Sequence, residues 1–309
     1  MEFLEKAGMQ KNSNQMIVPD MKYAVFSMDI EDWYHLDYFS GMPVNKSYSL
    51  LDGIEQYATI LEKHHIPSTF FTLSEIAPNI VSQLRSLLAA GHEIACHGKD
   101  HGRPLAKSVD VFATEIRQAK AALEDIIGST VEGYRAPCFS IDRDRLDALI
   151  DIGIRYDSSK IVFTDHPLYG DIDVTDFTNV MQDVYIKGQF VEFELSTLRM
   201  ANRKLPVSGG GYLRIFPWVL MNGLLKRYLR YAELYILYIH PFELSTKALP
   251  PLPDGTGFLK TMRFTLGRAS VAGKLEKLIT MMKNAGFKFM TFKNLRRTIL
   301  DNLNDCKNV

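Results

Sequence analysis

The stretch Tyr23-Ala-Val-Phe-Ser-Met-Asp-Ile-Glu-Asp32 decides the fold class, because an uninterrupted apolar run passes directly into acidic residues. Such a run is typical of a strand that is buried on both faces, as in a parallel sheet covered by helices. Acidic side chains at the end of that strand would stand at the edge of the sheet, beside a cleft. We therefore expect residues 23–28 to form the first strand and the acidic residues after it to be functional.

Helical and strand patterns alternate along the chain after this strand. The elements that we predict next are a helix over 51–63, a strand over 68–73, a helix over 75–90 and a long helix over 110–127. Three helices end at a glycine that leads straight into a short apolar strand, and these are Gly91, Gly153 and Gly286. This alternation favours a parallel sheet with outer helices, either a barrel or a doubly wound sheet.

The composition is that of a globular protein, with 46% hydrophobic and 23% charged residues in a chain of 309. No Gly/Ser-rich linker divides it, so we expect one domain over residues 22–298, a flexible lead-in over residues 1–21 and a polar tail over residues 299–309. The apolar run over residues 215–231 is predicted to be a core helix, although a helix lying on a membrane surface would have a similar pattern.

Charge and cysteine content exclude several kinds of partner and location. The 36 basic and 36 acidic residues cancel, and no basic run provides a footprint for nucleic acid. No apolar stretch reaches the ~20 residues that span a bilayer, although peripheral contact with a membrane and oligomerisation stay open. The three cysteines, Cys96, Cys138 and Cys306, form no disulfide framework, and the first twenty residues lack the apolar core of a signal peptide. We therefore expect a cytoplasmic protein.

Three carboxylates, Asp29, Glu31 and Asp32, follow the first strand within four residues. Like charges this close are costly unless a cation or an arginine compensates them, which favours a metal ion and a catalytic carboxylate. A solvated acidic loop is the alternative.

Two histidines, His97 and His101, stand four residues apart after another predicted strand. On a helical turn this spacing would point both rings at one place, which is a common arrangement of ligands for a divalent metal. The pair is a moderate signal when it is taken alone.

Two further segments carry polar residues beside strand ends. Arg135 precedes Pro137, and a buried arginine there could keep a carboxylate ionised while the proline orients the backbone N–H groups that follow. His240 ends the apolar strand predicted over residues 234–239, where an imidazole could donate a proton. A surface arginine in a rigid turn and a core histidine are the ordinary alternatives.

In order and spacing these four segments resemble the motifs of the polysaccharide deacetylase family, which is carbohydrate esterase family 4 with its NodB-type domain. The resemblance covers roughly residues 22–295. The matching motifs are Asp29-Ile-Glu-Asp32, His97-Gly-Lys-Asp-His101, Arg135-Ala-Pro-Cys-Phe139 and Leu237-Tyr-Ile-His240. The strings that begin at Phe193, Ser208 and His240 are similar to a subgroup linked to the assembly of bacterial exopolysaccharide. The resemblance implies a distorted (β/α) barrel with about seven parallel strands and outer helices.

The resemblance also implies a reaction, the removal of an N-acetyl group from a sugar of a bacterial polysaccharide or its precursor. Asp29 would be the base, held ionised by Arg135, and His240 the proton donor, with Asp157 as a candidate to orient it; alternatively, Asp157 caps a turn. His97 and His101 would bind one divalent ion, for which zinc is the default and nickel or cobalt are alternatives. The first motif departs from the family's adjacent aspartates, so that either Glu31 or Asp32 is the carboxylate ligand.

The same resemblance suggests residues that contact the N-acetylated sugar, which could be a glycan, a lipid-linked or a nucleotide-linked sugar. Pro137, Cys138 and Phe139 would line the site. Trp33 and Tyr212 are candidates to stack on sugar rings, although packing is the commoner role for aromatic residues. The rival functions are an allantoinase-like amide hydrolase, an inactive carbohydrate-binding module and a hydrolase that uses Cys138 as its nucleophile.

Overall fold

The computed structural model describes residues 21–162, 168–200 and 203–307, so that the expected lead-in lies outside the described residues except for Met21. The strands within these ranges are β1 (Lys22–Ile30), β2 (Thr69–Thr72), β3 (Glu93–Cys96), β4 (Gly133–Tyr134), β5 (Tyr156–Asp157), β6 (Thr178–Met181), β7 (Val184–Lys187), β8 (Phe190–Phe193), β9 (Thr197–Met200), β10 (Arg203–Pro206), β11 (Leu234–Ile239) and β12 (Phe287–Phe289). The α-helices are α1 (Gly53–Lys63), α2 (Val81–Ala89), α3 (Val109–Ile127), α4 (Arg143–Asp151), α5 (Gly210–Ile215), α6 (Trp218–Leu229), α7 (Pro241–Leu244), α8 (Phe258–Thr265), α9 (Val271–Asn284) and α10 (Phe292–Lys307).

The main sheet of the described residues has the strand order β11-β1-β2-β3-β4-β5-β8-β7-β6, and β12 also pairs with β1. Every pairing from β11 to β8 is parallel, whereas β7 and β6 add an antiparallel ribbon at one end. β1 is buried from Tyr23 onward, as its apolar run predicts. Its central place in the sheet requires apolar side chains on both faces.

The two ends of this sheet curl toward each other. Gln182, in the turn between β6 and β7, exchanges hydrogen bonds with Glu233, which directly precedes β11. The amide of Ile236 in β11 donates to the Ser196 hydroxyl at 2.9 Å. A backbone hydrogen bond also joins β11 to the carbonyl of Ser208. The sheet is therefore a curled, distorted barrel, as the family resemblance implies, rather than a doubly wound sheet.

The helices pack an apolar face against the outside of this sheet. On α3 the buried residues recur every three or four positions, and they are Phe112, Ile116, Ala119, Leu123 and Ile127. Burial of each large side chain of this kind contributes about 1.5–3 kcal/mol before the loss of chain entropy is counted. The predicted helix-ending glycines are confirmed, because Gly91, Gly153 and Gly286 have φ values of 85°, 86° and 80°.

Two predictions about the chain's later part need correction. α10 continues through Lys307 and buries Ile299 and Leu303, so residues 299–307 belong to the folded domain rather than to a polar tail. The predicted helix over residues 215–231 breaks before Pro217, because a proline lacks the N–H that would continue α5. α6 buries a core face, but it also leaves Val219 84% exposed.

Candidate metal centre and catalytic residues

Four of the five consecutive parallel strands β11-β1-β2-β3-β4, all except β2, deliver the candidate residues to one edge of the sheet. Asp29 and Glu31 lie at the carboxyl end of β1, and His97 directly follows β3. Arg135 directly follows β4, and His240 directly follows β11. Because parallel strands end at the same edge, motifs that are far apart in sequence meet there.

Glu31, His97 and His101 form a compact group of potential metal ligands. One ligand atom from each lies within 4.8 Å of the other two, and the described residues contain no other group of this kind. Oε2 of Glu31 lies 2.5 Å from Nε2 of His101, but the two atoms are not aligned as acceptor and N–H donor. A buried carboxylate oxygen without a hydrogen bond, beside two imidazoles, fits a divalent ion.

The surroundings of His97 prepare its ring for metal binding. Nδ1 lies 2.9 Å from the carbonyl oxygen of Arg135, so Nδ1–H donates there and Nε2 keeps its lone pair. Burial, reinforced by nearby His101, lowers the pKa of His97 to about 4. The ring is therefore neutral, as a metal ligand must be.

The segment from His97 to His101 is a loop rather than the helical turn that the spacing suggested. Gly98 has a φ of 94°, and His101 has a φ of 62°, an unusual value for a residue with a side chain. Amides of Ser74 and Glu75 donate to the carbonyls of Gly98 and Lys99 and hold this loop. The two rings still converge, with their centroids 5.4 Å apart.

The last two carboxylates of the first motif, Glu31 and Asp32, have different environments. Oδ1 of Asp32 accepts from the amides of Trp33 at 2.8 Å and Leu50 at 2.9 Å, so this residue caps the short helix Trp33–His35. The structure thus places Glu31, and not Asp32, in the group of ligands. Burial raises the pKa of Glu31, but the charges of His101 and His240 outweigh this effect and lower the pKa to about 2.

Asp29 and Arg135 form a buried ion pair beside this group. Nη1 of Arg135 donates to Oδ1 of Asp29 at 2.7 Å and to the Ser27 hydroxyl at 2.8 Å. The remaining guanidinium nitrogens bind the carbonyl and hydroxyl oxygens of Ser158, and the guanidinium lies 4.1 Å from the ring centroid of Phe71. These hydrogen bonds hold the arginine in place, and the arginine in turn fixes the position of the Asp29 carboxyl group.

His240 contacts this group of potential ligands through Glu31. Its Nε2 lies 3.3 Å from Oε1 of Glu31, and its Nδ1 lies 3.4 Å from Oε2 of Glu243. Burial lowers the pKa of His240, but the hydrogen bond with Glu243 and the negative charges of Glu31 and Asp29 raise it to about 9. The ring therefore holds a proton that it could donate.

The sequence predicts no role for Glu243, yet this buried residue is the partner of His240. It also accepts from the backbone amide of His240 at 3.1 Å, which makes a capping box at the start of α7. Nε of Arg214 donates to it at 3.3 Å. A Cβ at Gly210 would lie 2.0 Å from Oε2 of Glu243, so a side chain at this position would displace the carboxylate. The signal in the sequence was the His-x-x-Glu spacing of the capping box.

Asp157 does not orient His240, contrary to the expectation from the sequence. It is buried at the end of β5, where it accepts from the hydroxyl of Ser159 at 2.7 Å and from its amide at 3.1 Å. The Ser159 hydroxyl in turn accepts from the amide of Ala136 at 2.8 Å. Asp157 therefore supports the turn after Arg135, which agrees with its alternative role in a turn.

The turn Pro137-Cys138-Phe139 has two consecutive residues with positive φ, 54° at Cys138 and 53° at Phe139. In the ranges that the structure describes, the Cys138 amide has no hydrogen-bond acceptor. Burial raises the pKa of the Cys138 thiol to about 12, so a thiolate nucleophile is disfavoured at neutral pH. The turn therefore offers a backbone N–H rather than a cysteine for chemistry.

The aromatic candidates have different environments. Trp33 is fully buried, its Nε1 donates to the carbonyl of Tyr48 at 2.7 Å, and it packs on Phe39, so it cannot stack on a sugar ring. Tyr212 is half-buried and lies near Tyr169. Burial raises the pKa of Tyr169, and the nearby Tyr212 and Cys138 raise it further. Tyr169 was not expected from the sequence, and it packs on Phe139 with the ring centroids 5.6 Å apart.

Comparison with known families and sequences gives matches to separate parts of the chain. Residues 48–156 match the family Polysaccharide deacetylase, and residues 158–297 match the family Domain of unknown function (DUF3473). The peptidoglycan deacetylase of Helicobacter pylori is 26% identical over 107 residues, which are 35% of this chain and 36% of that protein. The chain thus spans about a third of the length of this curated relative.

Solved structures share the fold at low sequence identity. A crystal structure from Mycobacterium smegmatis that is assigned to the polysaccharide deacetylases has a TM-score of 0.63 at 18% identity, and the match covers 95% of this chain and 96% of that one. A CE4 family pseudoenzyme from Bacillus anthracis has a TM-score of 0.52 at 12% identity, over 90% of this chain and 66% of that one. At such identities these matches establish the fold alone.

Proposed function

We propose that this chain, which belongs to the polysaccharide deacetylase family, is a metal-dependent hydrolase that removes the N-acetyl group from a sugar of a bacterial polysaccharide or of its precursor. The observation that carries the proposal is that a buried carboxylate–arginine pair and a histidine both lie beside one group of potential metal ligands, Glu31, His97 and His101. Asp29, which is paired with Arg135, is close enough to His97 to influence its pKa. Nε2 of His240 lies 3.3 Å from Oε1 of Glu31.

Glu31, His97 and His101 would hold the ion. Two imidazoles and one carboxylate suit zinc, with nickel or cobalt as alternatives. When bound, such an ion supplies Lewis-acid activation of a water molecule and of the acetamide carbonyl. These three ligands leave further coordination positions for water and substrate, as catalytic sites require.

The protein's own residues would supply the proton transfers. Asp29, held as a carboxylate by Arg135, would accept a proton from the attacking water. The amide of Cys138 would donate a hydrogen bond to the oxygen of the tetrahedral intermediate. His240 would give its proton to the nitrogen of the leaving amine when the C–N bond breaks. Acetate and a free amino sugar are then the products.

Acetate release from a panel of acetylated compounds tests this function. The panel contains nucleotide-linked, lipid-linked and oligomeric N-acetyl sugars, together with small cyclic and linear amides. We expect acetate from at least one class of N-acetyl sugar. Hydrolysis of the small amides alone would instead indicate an allantoinase-like enzyme, and the absence of any hydrolysis would favour an inactive carbohydrate-binding module.

We expect Glu243→Gln to lower kcat by roughly 10- to 100-fold, the range for partners that orient the histidines of a site. Glutamine cannot supply the charge that holds the His240 proton, whereas Glu243 is not among the residues that would hold the metal. KM and metal content should therefore stay unchanged. Steady-state kinetics and metal analysis of the purified variant provide the measurement.

Glu93→Gln is a matched control, because Glu93 is also a buried glutamate but accepts from Thr69 and Tyr156, on the far end of β3. It should reduce thermal stability and leave kcat intact. Equal losses of kcat in both variants would show that Glu243 acts only on folding.

We also propose that the protein acts in the cytoplasm or at the inner face of the membrane. Support comes from Cys96 and Cys138, which are both unpaired in the described chain. Free thiols persist in reducing compartments. Fractionation of the native host is the measurement, and we expect recovery from the cytoplasmic or the membrane fraction. Recovery from the periplasm or from the medium would refute this location.

A further inference from the structure

Helix α8 buries one side and exposes a strongly apolar opposite side. Its Phe264 is fully buried and stacks on Phe242, with the ring centroids 5.3 Å apart. Phe258 is 79% exposed, Leu259 65% and Met262 38%. Because residues four apart lie on the same side of a helix, Phe258 and Met262 form one stripe. The exposed apolar surface is therefore continuous along α8.

This surface continues onto the end of α5 and the start of α6. Arg214 donates to the carbonyl of Leu266 at 2.5 Å, so that the ends of α5 and α8 lie together. Leu266 is 46% exposed, and Ile215, the neighbour of Arg214, is 37% exposed. In the first turn of α6, Val219 is 84% exposed. We call these residues the apolar face, and its members are Ile215, Val219, Leu220, Phe258, Leu259, Met262 and Leu266.

The chain segments that carry the apolar face contain charges of one sign. The sequence has no aspartate or glutamate over residues 195–232 or over residues 255–275, although the whole chain carries equal numbers of acidic and basic residues. Exposed cations stand among the apolar side chains on α8, at Lys260 and Arg263, and near the end of α6, at Lys226 and Arg227. A partner that binds this surface should therefore have an apolar interior, which takes up the apolar side chains, and a negatively charged surface, which pairs with the lysines and arginines.

We propose that the apolar face docks on a lipid bilayer with anionic headgroups. Large exposed apolar side chains interleaved with lysine and arginine are typical of helices that lie in the membrane interface. None of the helices in the described ranges is long and apolar enough to cross a membrane. An eight-residue helix is ~12 Å long, so α8 would lie in the plane of the headgroups.

Buried side chains connect the docking surface to the candidate active site. Phe264 packs on Trp33, which follows the first motif, with the ring centroids 6.2 Å apart. Arg214 connects α8 to Glu243, the partner of His240. Docking would thus hold the site close to the headgroups, where a sugar attached to a membrane lipid is within reach. This last step rests on the proposed function, whereas the docking itself does not.

Sedimentation with vesicles tests the docking. Wild-type protein should bind vesicles that contain phosphatidylglycerol, and bind vesicles of pure phosphatidylcholine much less. Phe258→Ser/Leu259→Ser should lower the partition coefficient at least ~10-fold, because two exposed apolar side chains no longer enter the interface. Lys260→Glu/Arg263→Glu should lower it as well, and added salt should weaken wild-type binding.

Leu105→Ser/Val111→Ser is the matched control, since these side chains are 40% and 50% exposed but lie away from the apolar face. It should bind vesicles as wild type does. Equal binding by wild type and Phe258→Ser/Leu259→Ser would overturn the proposal. A dimer that the same variant dissociates, without any vesicle binding, would assign the face to a second copy of the chain. Acetate release from a soluble substrate, measured in parallel, shows separately whether the proposed activity holds.

Discussion

Asp29→Asn is expected to lower kcat by about 10²- to 10⁴-fold, the usual loss when a general base is removed. The amide of asparagine cannot accept the proton of the attacking water. Its Oδ1 can still accept from Nη1 of Arg135, where the aspartate oxygen lies 2.7 Å away. The buried arginine therefore keeps a partner, and the fold should persist.

Steady-state acetate release, thermal unfolding and metal content of the same preparation separate the outcomes. Turnover close to that of the wild type would mean that another group is the base. Loss of the bound ion would instead make Asp29 a ligand, although Glu31 is the carboxylate that lies with the two histidines.

The second large effect is expected from His97→Ala/His101→Ala. Removing two of the three proposed ligands should abolish binding of the ion and reduce acetate release to background, because a single carboxylate holds a transition metal poorly. Metal analysis after dialysis provides the direct measurement, independent of any substrate.

Asp32→Asn is the matched control for this double variant. Asp32 belongs to the same acidic motif, but its Oδ1 accepts from the amides of Trp33 and Leu50, and an asparagine oxygen can do the same. The control should therefore retain a full complement of metal. Full occupancy in His97→Ala/His101→Ala would rule out the assigned site.

Much of the fold was predictable because the sequence patterns depend on local physics. The uninterrupted apolar run of β1 requires burial on both faces, and glycines such as Gly91 are needed wherever a helix ends in a left-handed residue. Polar residues directly after these strands then had to meet at one edge of a parallel sheet. For this reason Asp29, His97, Arg135 and His240 were recognisable without a structure.

The remaining features depend on contacts between distant parts of the chain. Glu243 stands only three residues from His240, but Arg214 and a close approach of Gly210, both from α5, also surround its carboxylate. Trp33 is buried because Phe264 of α8 covers it, so that an aromatic candidate for sugar binding proves to be core. Neither of these contacts, α5 with Glu243 or α8 with Trp33, produces a periodic pattern in the sequence.

Local backbone conformation accounts for the other differences. His101 converges on His97 through a loop with positive φ rather than through a helical turn. Asp32 and Glu31 are one residue apart, and which of them faces the histidines depends on the short helix that Asp32 caps. Composition and spacing cannot distinguish such alternatives, because both residues are carboxylates at the end of the same strand.

The most direct test of metal-dependent deacetylation is a titration of metal-stripped protein with zinc, in which bound ion and acetate release from the best N-acetyl sugar are measured together. We expect no acetate above the buffer rate from the stripped protein. Activity should rise in proportion to the bound ion and level off at one ion per chain, and His97→Ala/His101→Ala should show no rise. Full acetate release from protein free of metal would contradict the account.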